Sequence, residues 1–600
     1  MVNVLTSLIS SQTAKYADRE AFRCKISENT WQSYTWNAFK ESVDKAACAY
    51  NHLGIAETDN IAVFSANRSE ILISDFAAYA NRIVPISIYA TSSTNQVEYI
   101  VNDASCKIIF TGNASQLEIA KEAIKKCPTV KYLICYDEIA ESEKSESVMS
   151  FADFLQLGAS ATAECKAEVE ARTQRATADD IATIIYTSGT TGEPKGAVLP
   201  HSCFNAVMRI HIERLTMLSD EDTSLSFLPM SHIFEKAWSY FCLVMGMKVF
   251  INNDPRQIQE TIAEVHPTCM CSVPRFWEKV YTAIQSKVSE MKGLKKIMAT
   301  VAFAVGKRRN LCYARLGKQA PWWLETLYQF FNKRVFMPVR KKIGVDKGNI
   351  FPTAGAPLSA NIVEFLHSIG INIVIGYGLS ETTATVSCFP NVGFKIGTVG
   401  TTMPDVQVRI GENDEIQVKG ETVMRGYYNK PEATAQAFTA DGWFRTGDAG
   451  TLGENGEIVL TERIKDLFKT SNGKYIAPQA LESRLGEDKF IEQVAIIGDN
   501  RKYVTAIIIP AFNALKEYAH KKHIQYQSKE DLIKNADIKK MLEDRINKLQ
   551  KNFASFEQIK KFTLLAKSFT MESGELTNTL KIRRPVINRR YAREIEAMYV

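Results

Sequence analysis

The chain reads as an α/β protein, with a large N-terminal region of mixed sheets and helices, a β-rich subdomain and a smaller α+β C-terminal unit. Three observations predict this. From the start to about residue 180, helical and strand-like stretches alternate, the pattern of a mostly parallel sheet clothed by helices. From about residue 397 the texture shifts to short alternating runs with glycine turns, such as 406–410 and 415–419. Past Arg463 come two apolar runs, 494–498 and 504–510, and a charged helical stretch over 537–551. Six hundred residues are too many for one core, so at least two domains are expected.

In chain order, residues 36–53 carry apolar positions at helical spacing and stop at Gly54, a C-terminal cap. The spacing predicts a strand at 61–64, a helix over 70–81 and a strand at 83–86. Two more strands fall at 107–111 and 131–135, separated by a helix over 116–126. Residues 141–146 and 159–177 are polar and Ala/Glu/Ser-rich, and are expected as surface connections. The β-branched run 181–186 reads as a strand, and 196–199 as another. Residues 240–251 are strongly apolar but short and contain Lys248, so they form a buried element rather than a membrane span. Residues 281–342 read as largely helical, and a strand resumes at 371–375. No internal repeat or low-complexity tract stands out.

Composition narrows the class. With 45% hydrophobic and 23% charged residues, the chain is an ordinary globular protein, neither disordered nor fibrous. The N-terminus has neither the basic start nor the cleavage site of a secretory signal. Twelve cysteines are scattered with no CxxC, which predicts reduced, mostly buried thiols and a cytoplasmic protein. Eight histidines form no Cys/His cluster at zinc spacing, so no structural zinc is expected. The net charge of +6 hides an uneven distribution: residues 281–342 hold 14 Lys/Arg against two acids. Trp322, Trp323, Tyr328, Phe330 and Phe331 lie among those bases.

Five segments carry chemistry. The first is Tyr186-Thr187-Ser188-Gly189-Thr190-Thr191-Gly192-Glu193-Pro194-Lys195-Gly196, between two strands. Glycines let backbone approach an anion, hydroxyls donate to phosphate oxygens, and a lysine adds a point charge. It is not a Walker loop, which needs Gly-Lys-Ser/Thr opening a helix. Composition alone leaves a phosphate loop and a bland Ser/Thr/Gly surface hairpin about even. The second segment, Ile375-Gly376-Tyr377-Gly378-Leu379-Ser380-Glu381-Thr382-Thr383, follows an apolar run, where α/β proteins place ligands. Its ring can stack on a purine, its carboxylate can hold Mg²⁺, and its hydroxyls can meet phosphate. Just upstream, Thr353-Ala354-Gly355-Ala356-Pro357-Leu358 is a small-residue turn against which a flat base can pack. The third, Asp441-Gly442-Trp443-Phe444-Arg445-Thr446-Gly447-Asp448, offers a carboxylate for paired ribose hydroxyls, while Asp441 reads as an ordinary hairpin residue. The fourth and fifth are Arg463-Ile464-Lys465-Asp466 and Leu576-Thr577-Asn578-Thr579-Leu580-Lys581. By itself, a lysine in a basic tail is a solvated charge.

All eleven positions of the first segment resemble the phosphate loop of AMP-forming, adenylate-forming ligases. The five segments together, in order and separation, resemble long-chain acyl-CoA synthetases from about residue 20 to the C-terminus. The resemblance implies an AMP-binding region over 1–463 and a small mobile domain over 464–600. It implies that Thr187, Ser188, Gly189, Thr190, Thr191, Gly192 and Lys195 hold the ATP phosphates, and that Glu381 with Thr187 holds Mg²⁺. By the same resemblance Gly355, Ala356, Pro357 and Tyr377, followed by Gly378, enclose adenine, and Ser380 and Thr382 lie near the α-phosphate. Asp448 and Arg463 would bind ribose, Lys465 would be the hinge, and Lys581 would swing in for adenylation. Ala354-Gly355-Ala356-Pro357 stands where the family often has Gly-Gly-Ala-Pro, and Lys465 stands where many relatives have Asp.

Two further segments resemble long-chain synthetases: Phe227-Leu228-Pro229-Met230-Ser231-His232-Ile233-Phe234-Glu235 and Ser272-Val273-Pro274-Arg275-Phe276-Trp277-Glu278-Lys279. They imply that His232, with Phe234, lines the acyl entrance beside the reacting carboxylate. A lone histidine is more often a packed one. Some relatives carry a gating tryptophan four positions after this histidine; here Lys236 stands there with Trp238 nearby, so no gate is expected. The expected reaction activates a long-chain fatty acid with ATP and Mg²⁺ and transfers it to coenzyme A, as a monomer or homodimer. The alternatives are transfer to an acyl carrier protein, a ligase for aryl or shorter acids, and a catalytically silent binding protein. The basic, aromatic span suits contact with an anionic membrane, with a solvated helical face as the equal alternative. No nucleic-acid motif accompanies its charge, so nucleic acid is not an expected partner.

Overall fold

Runs of β-branched and aromatic residues at 60–65 form the centre of a parallel sheet. The structure, a computed structural model, describes residues 4–28, 30–187, 193–464, 467–471, 474–571, 573–577 and 581–600. Ser188, Gly189, Thr190, Thr191, Gly192 and Lys465 therefore lie outside the described residues. Every residue of the strand Asn60–Ser65 is buried, as a strand covered on both faces must be. It lies between Val84–Tyr89 and Ile108–Thr111, and Tyr132–Cys135 and Val148–Ser150 complete five parallel strands. Helices Trp36–His52 and Ser69–Ala80 alternate with these strands as the sequence predicts. The first is capped by Thr35, whose side chain accepts from the Ala38 amide, and Gly54 follows its end at φ +67°.

A second sheet orders Thr30–Thr35, Glu20–Ser27, Lys248–Ile251 and Thr223–Ser226. Parallel bridges Ser224↔Cys269, Cys269↔Ile350 and Ser272↔Thr353 continue it into Phe351–Thr353, Ile373–Tyr377, Ser387–Cys388 and Thr401–Thr402. The loops after Thr223–Ser226, after Cys269–Ser272 bridging, after Phe351–Thr353 and after Ile373–Tyr377 thus leave the carboxyl ends of neighbouring parallel strands. That edge is where open α/β sheets bind ligands. The β-rich subdomain is a four-stranded antiparallel sheet of Gln407–Ile410, Glu415–Lys419, Phe444–Leu452 and Ile458–Arg463.

One expectation is corrected. Residues 159–177 are no mere connection, because a helix runs Ala163–Arg175. Thr162 caps it, Arg172 pairs with Glu168 one turn back, and Arg172 and Thr173 donate to the Ile55 and Ala80 carbonyls. It buries no residue fully, so polar anchors and Ala/Glu helix propensity hold it rather than an apolar stripe.

The C-terminal unit has its own core, drawn from residues between Phe468 and Met598 and separate from the cluster that runs from Leu5 to Ile458. It is built on Ile491–Ile497, Val504–Pro510 and Ile559–Leu564 with the helix Ala536–Leu549. All twelve cysteines are free thiols, most of them buried. Among the described residues no helix is long and apolar enough to cross a membrane.

Candidate active site

The described ends of the phosphate loop are held by a hairpin, in which Ile181–Thr187 pairs with Lys195–Pro200 and Thr187 faces Lys195. Thr187 Oγ1 donates to the Lys195 carbonyl at 3.4 Å. A third strand, Gly426–Tyr427, pairs with Lys195–Pro200 and brings in Tyr427. The Lys195 ammonium lies 5.1 Å from the Tyr427 ring centroid, while the Tyr427 hydroxyl donates to Glu381 Oε1 at 2.8 Å. One tyrosine therefore bridges the lysine and the carboxylate. Glu381 follows the strand Ile373–Tyr377 in a short 3₁₀ turn, Ser380–Thr382. Thr382 is fully buried; its hydroxyl accepts from the Leu379 amide and donates to the Leu379 carbonyl, so it shapes the turn rather than facing the cleft. Glu381 and Thr187 both line the cleft, and such a small hard-oxygen set fits Mg²⁺, which takes one or two protein oxygens and completes its shell with phosphate and water.

At the nucleoside end, Gly355 has φ +94° in the turn after Phe351–Thr353, a conformation that glycine takes without strain. At Gly378 a Cβ would meet the Ala384 carbonyl oxygen at 2.0 Å, so the turn closes only on glycine. The Tyr377 hydroxyl donates to Asp448 Oδ2 at 2.7 Å, and Arg463 Nε donates to Asp448 Oδ1 at 3.1 Å. Asp448 and Arg463 are register partners on adjacent strands, which fixes this triad. Asp441, by contrast, is exposed and paired with Arg409 outside the cleft, the ordinary hairpin role expected of it.

The third part of the site is the loop 227–232 at the end of Thr223–Ser226. Asn67 clamps it twice: Nδ2 donates to the Leu228 carbonyl at 2.7 Å and Oδ1 accepts from the Met230 amide at 2.8 Å. Glu235, buried one turn later, accepts from the Leu228 amide, Ser239 Oγ and Cys271 Sγ at 3.1–3.2 Å. Burial pushes the Glu235 carboxyl up to about 7 despite these donors. His232 caps the helix Ile233–Met245, its Nδ1 accepting from the Phe234 amide at 3.1 Å. Burial, aided by the Lys581 ammonium, pushes His232 down to about 4. The ring is therefore neutral near pH 7 with its proton on Nε2, a hydrogen-bond donor. Lys236 points into the core, bound to Asp75 at 2.5 Å and to Tyr240 at 3.3 Å, and Trp238 donates to Ser224 Oγ at 3.0 Å. Neither lines the cleft. Trp277 ties the next strand end together, donating to Ser272 Oγ at 2.7 Å and Thr353 Oγ1 at 2.9 Å.

Lys581 comes from the C-terminal unit. Leu576 and Ile582 pair as an antiparallel bridge, and the Lys581 backbone exchanges hydrogen bonds with Thr577 at 2.8 and 3.1 Å. Among the contacts that seat that unit, Arg275 donates to the Glu492 carbonyl at 2.7 Å, and Glu462 accepts from the Gln479 amide at 3.0 Å. Thr187, Lys195, His232, Glu381, Asp448 and Lys581 then line one cleft, together with Gly355, Ala356, Pro357, Tyr377, Gly378, Ser380 and Arg463. At about 2860 Å³ the cleft exceeds the few hundred to a thousand of a single-ligand pocket, so it has room for more than one substrate. Sequence reading missed Tyr427, Asn67 and Glu235 as site-shaping residues. Tyr427 lies 46 residues from Glu381 and Asn67 over 160 from the loop it clamps, so no local spacing pointed to them.

A family model described as AMP-binding enzyme matches residues 9–428, and its C-terminal domain model matches residues 465–600. The chain is 32% identical over 585 residues to the long-chain-fatty-acid–CoA ligase FadD15 of Mycobacterium bovis, covering 96% of this chain and 94% of that one. It is 30% identical over 611 residues to long-chain-fatty-acid–CoA ligase 1 of Cavia porcellus, covering 96% and 84%. Among solved structures, the adenylation domain of a carboxylate reductase from Mycobacterium chelonae superposes with TM-score 0.78 at 21% identity, over 99% of this chain and 91% of that one. The anthranilate CoA ligase AuaEII, bound to anthranoyl-AMP, gives 0.73 at 15% identity, over 99% and 98%. At those identities the likeness concerns the fold, which is that of the adenylate-forming ligases. The chain belongs to the AMP-binding enzyme family and, within it, to the long-chain acyl-CoA synthetases.

Proposed function

We propose that this protein activates a long-chain fatty acid with ATP, releasing pyrophosphate, and then passes the acyl group from AMP to coenzyme A. The observation that carries the reading is the meeting of Lys195, Glu381, Asp448, His232 and Lys581, from five distant segments, in one cleft. In the first step a carboxylate oxygen bonds to the α-phosphorus and the bond to pyrophosphate breaks. In the second, the coenzyme A sulfur, having lost its proton, bonds to the acyl carbon and AMP leaves.

Each step asks mainly for charge stabilisation. Lys195 meets the outgoing phosphates and is kept in place by the Tyr427 ring. Mg²⁺ at Glu381 and Thr187 neutralises phosphate charge when bound. Asp448 and Arg463 hold the ribose, and the Gly355-Ala356-Pro357 turn with Tyr377 and Gly378 encloses adenine. His232 Nε2–H donates to the reacting carboxylate or acyl oxygen, orienting it towards the α-phosphorus that Lys581 and Ser380 face. We assign residues 1–463 to the AMP-binding domain and 464–600 to a mobile domain turning about Lys465, so that Lys581 leaves once adenylation is done. The core of residues 468–598, separate from the two clusters of the N-terminal region, supports that division. A cytoplasmic enzyme touching an anionic membrane, the reservoir of its substrate, suits the basic span 281–342.

Pyrophosphate release tests the reading. It should require ATP and a fatty acid together, peak with chains of twelve carbons or more in a panel from two to twenty, and yield the coenzyme A thioester by mass. Release without acid, or equal rates for acetate and palmitate, would contradict it.

A further inference from the structure

Eight of the seventeen large apolar side chains exposed among the described residues lie on two neighbouring helices, Gly293–Cys312 and Trp322–Phe331. The first helix is apolar on two sides. It buries Ala299, Ala302, Gly306 and Leu311 and packs Phe303 against Phe336 and Phe365, and at Gly306 a Cβ would meet the Ser368 carbonyl oxygen at 2.2 Å. Its exposed row, Leu294, Ile297, Met298 and Val301, is large and falls at i, i+3, i+4 and i+7, one face of a helix. Trp323, Leu327 and Phe330 form the matching exposed row on the second helix, and Trp322 before them is 80% exposed. Arg308 stacks over Trp323 at 5.4 Å and Arg309 binds Glu325 at 2.9 Å, so the two helices adjoin. A helix that already packs Leu311 and Phe303 inward and still turns a second large apolar row to water presents a contiguous apolar patch, the mark of an interaction surface.

The charge around this face is mostly positive, with Glu290 and the Arg309-paired Glu325 as its acids. Lys292, Lys295 and Lys296 are exposed at the start of the first helix, where the helix dipole disfavours cations. Lys333 and Arg334 are exposed past the end of the second, with Arg334 over Phe330 at 5.1 Å. None of these five forms an ion pair among the described residues. The face also meets the cleft. The helix Pro274–Glu290 lines the cleft with Val280, Ile284 and Lys287 and hands on to Met291; Lys287 and Met291 also line a second hollow, which Leu294 and Lys295 close.

We propose that this two-helix face docks on an anionic lipid bilayer, with Trp322 and the Leu294 row in the interface and the lysines over lipid phosphates. The acyl chain then passes from the bilayer into the cleft along Pro274–Glu290, between Lys287 and Met291. The proposal rests on the fatty-acid ligase reading and adds the surface and route by which that substrate arrives. Amphipathic side chains of this kind bind interfaces by apolar burial plus attraction to anionic lipid.

The test uses the full chain and vesicles of phosphatidylglycerol and phosphatidylcholine in equal parts, against pure phosphatidylcholine. The wild type should sediment with the anionic vesicles and be released by raised salt. The double variant Leu294→Glu with Ile297→Glu should bind about tenfold less, as should Lys295→Glu with Lys296→Glu, which keeps the apolar row. Both should activate detergent-dispersed palmitate within about twofold of wild type, yet lose about tenfold on palmitate held in vesicles. Wild-type binding indifferent to lipid charge, variants that bind like wild type, or light scattering showing a dimer that the variants dissociate would overturn the proposal. Loss of the ligase reading itself would show separately, as absent pyrophosphate release from dispersed palmitate in the wild type.

Discussion

Tyr427 joins the two charges at the phosphate end of the cleft, its ring under the Lys195 ammonium and its hydroxyl on Glu381. Tyr427→Phe keeps the ring and removes one hydrogen bond to a carboxylate, worth about 1.5–3 kcal/mol. The expected result is about a tenfold fall in kcat/KM for ATP with a raised Mg²⁺ requirement, and an unchanged KM for the fatty acid. A Phe variant with wild-type magnesium dependence would show that Glu381 is oriented without it. Glu235 makes the second residue-scale prediction. Burial holds its carboxyl near 7 in the folded protein, against about 4.3 when exposed. The folded state therefore binds this proton more tightly than the unfolded chain, and the stability it contributes is full below about pH 4.3 and lost as pH rises through about 7. Glu235→Gln removes the titration. The stability of wild type relative to Glu235→Gln should thus fall by about 3 kcal/mol between about pH 4.5 and 7.5 in urea unfolding, and a flat difference would contradict the assignment.

At the scale of elements, strand ends aim the chemistry and clamps between loops fix it. Asn67→Ala frees the Leu228 carbonyl and leaves the buried Met230 amide unpaired, a cost of about 1–3 kcal/mol. Because the clamp acts on the His232 loop alone, the KM for fatty acid should rise several-fold while that for ATP stays put; equal rises would show a general loss of structure. The same distinction explains what the sequence could and could not reveal. Fully buried strands such as Asn60–Ser65 and Val504–Pro510 announce themselves as unbroken apolar runs. Glu381, Asp448 and Lys195 were legible because each sits in a contiguous motif, in the turn after a strand, within the strand Phe444–Leu452 and at the start of a strand respectively. The helix Ala163–Arg175 was not, since it buries no stripe and is pinned by polar contacts to carbonyls over 90 residues away. Tyr427 and Asn67 were hidden for a related reason: they act through partners that only the folded sheet brings near. His232 lay between, as a motif named the residue but only its burial, aided by the Lys581 neighbour, explains a neutral ring.

At the scale of the whole molecule, the C-terminal unit with its separate core brings Lys581 to a cleft lined mainly by the N-terminal region. Polar contacts help to seat it, among them Arg275 on the Glu492 carbonyl and Glu462 on the Gln479 amide. An interface of that kind suits a domain that docks and leaves. Lys581 lines the cleft close enough to His232 to help depress its basicity, the placement that the proposed adenylation step would use. A thiol arriving at the acyl carbon needs that space cleared. The most direct measurement separates the two half-reactions in Lys581→Ala. Pyrophosphate release from palmitate and ATP should fall at least about a hundredfold, as removal of a transition-state charge contact demands, while thioester formation from supplied palmitoyl-AMP and coenzyme A should stay within about twofold. Equal loss in both half-reactions would contradict the account.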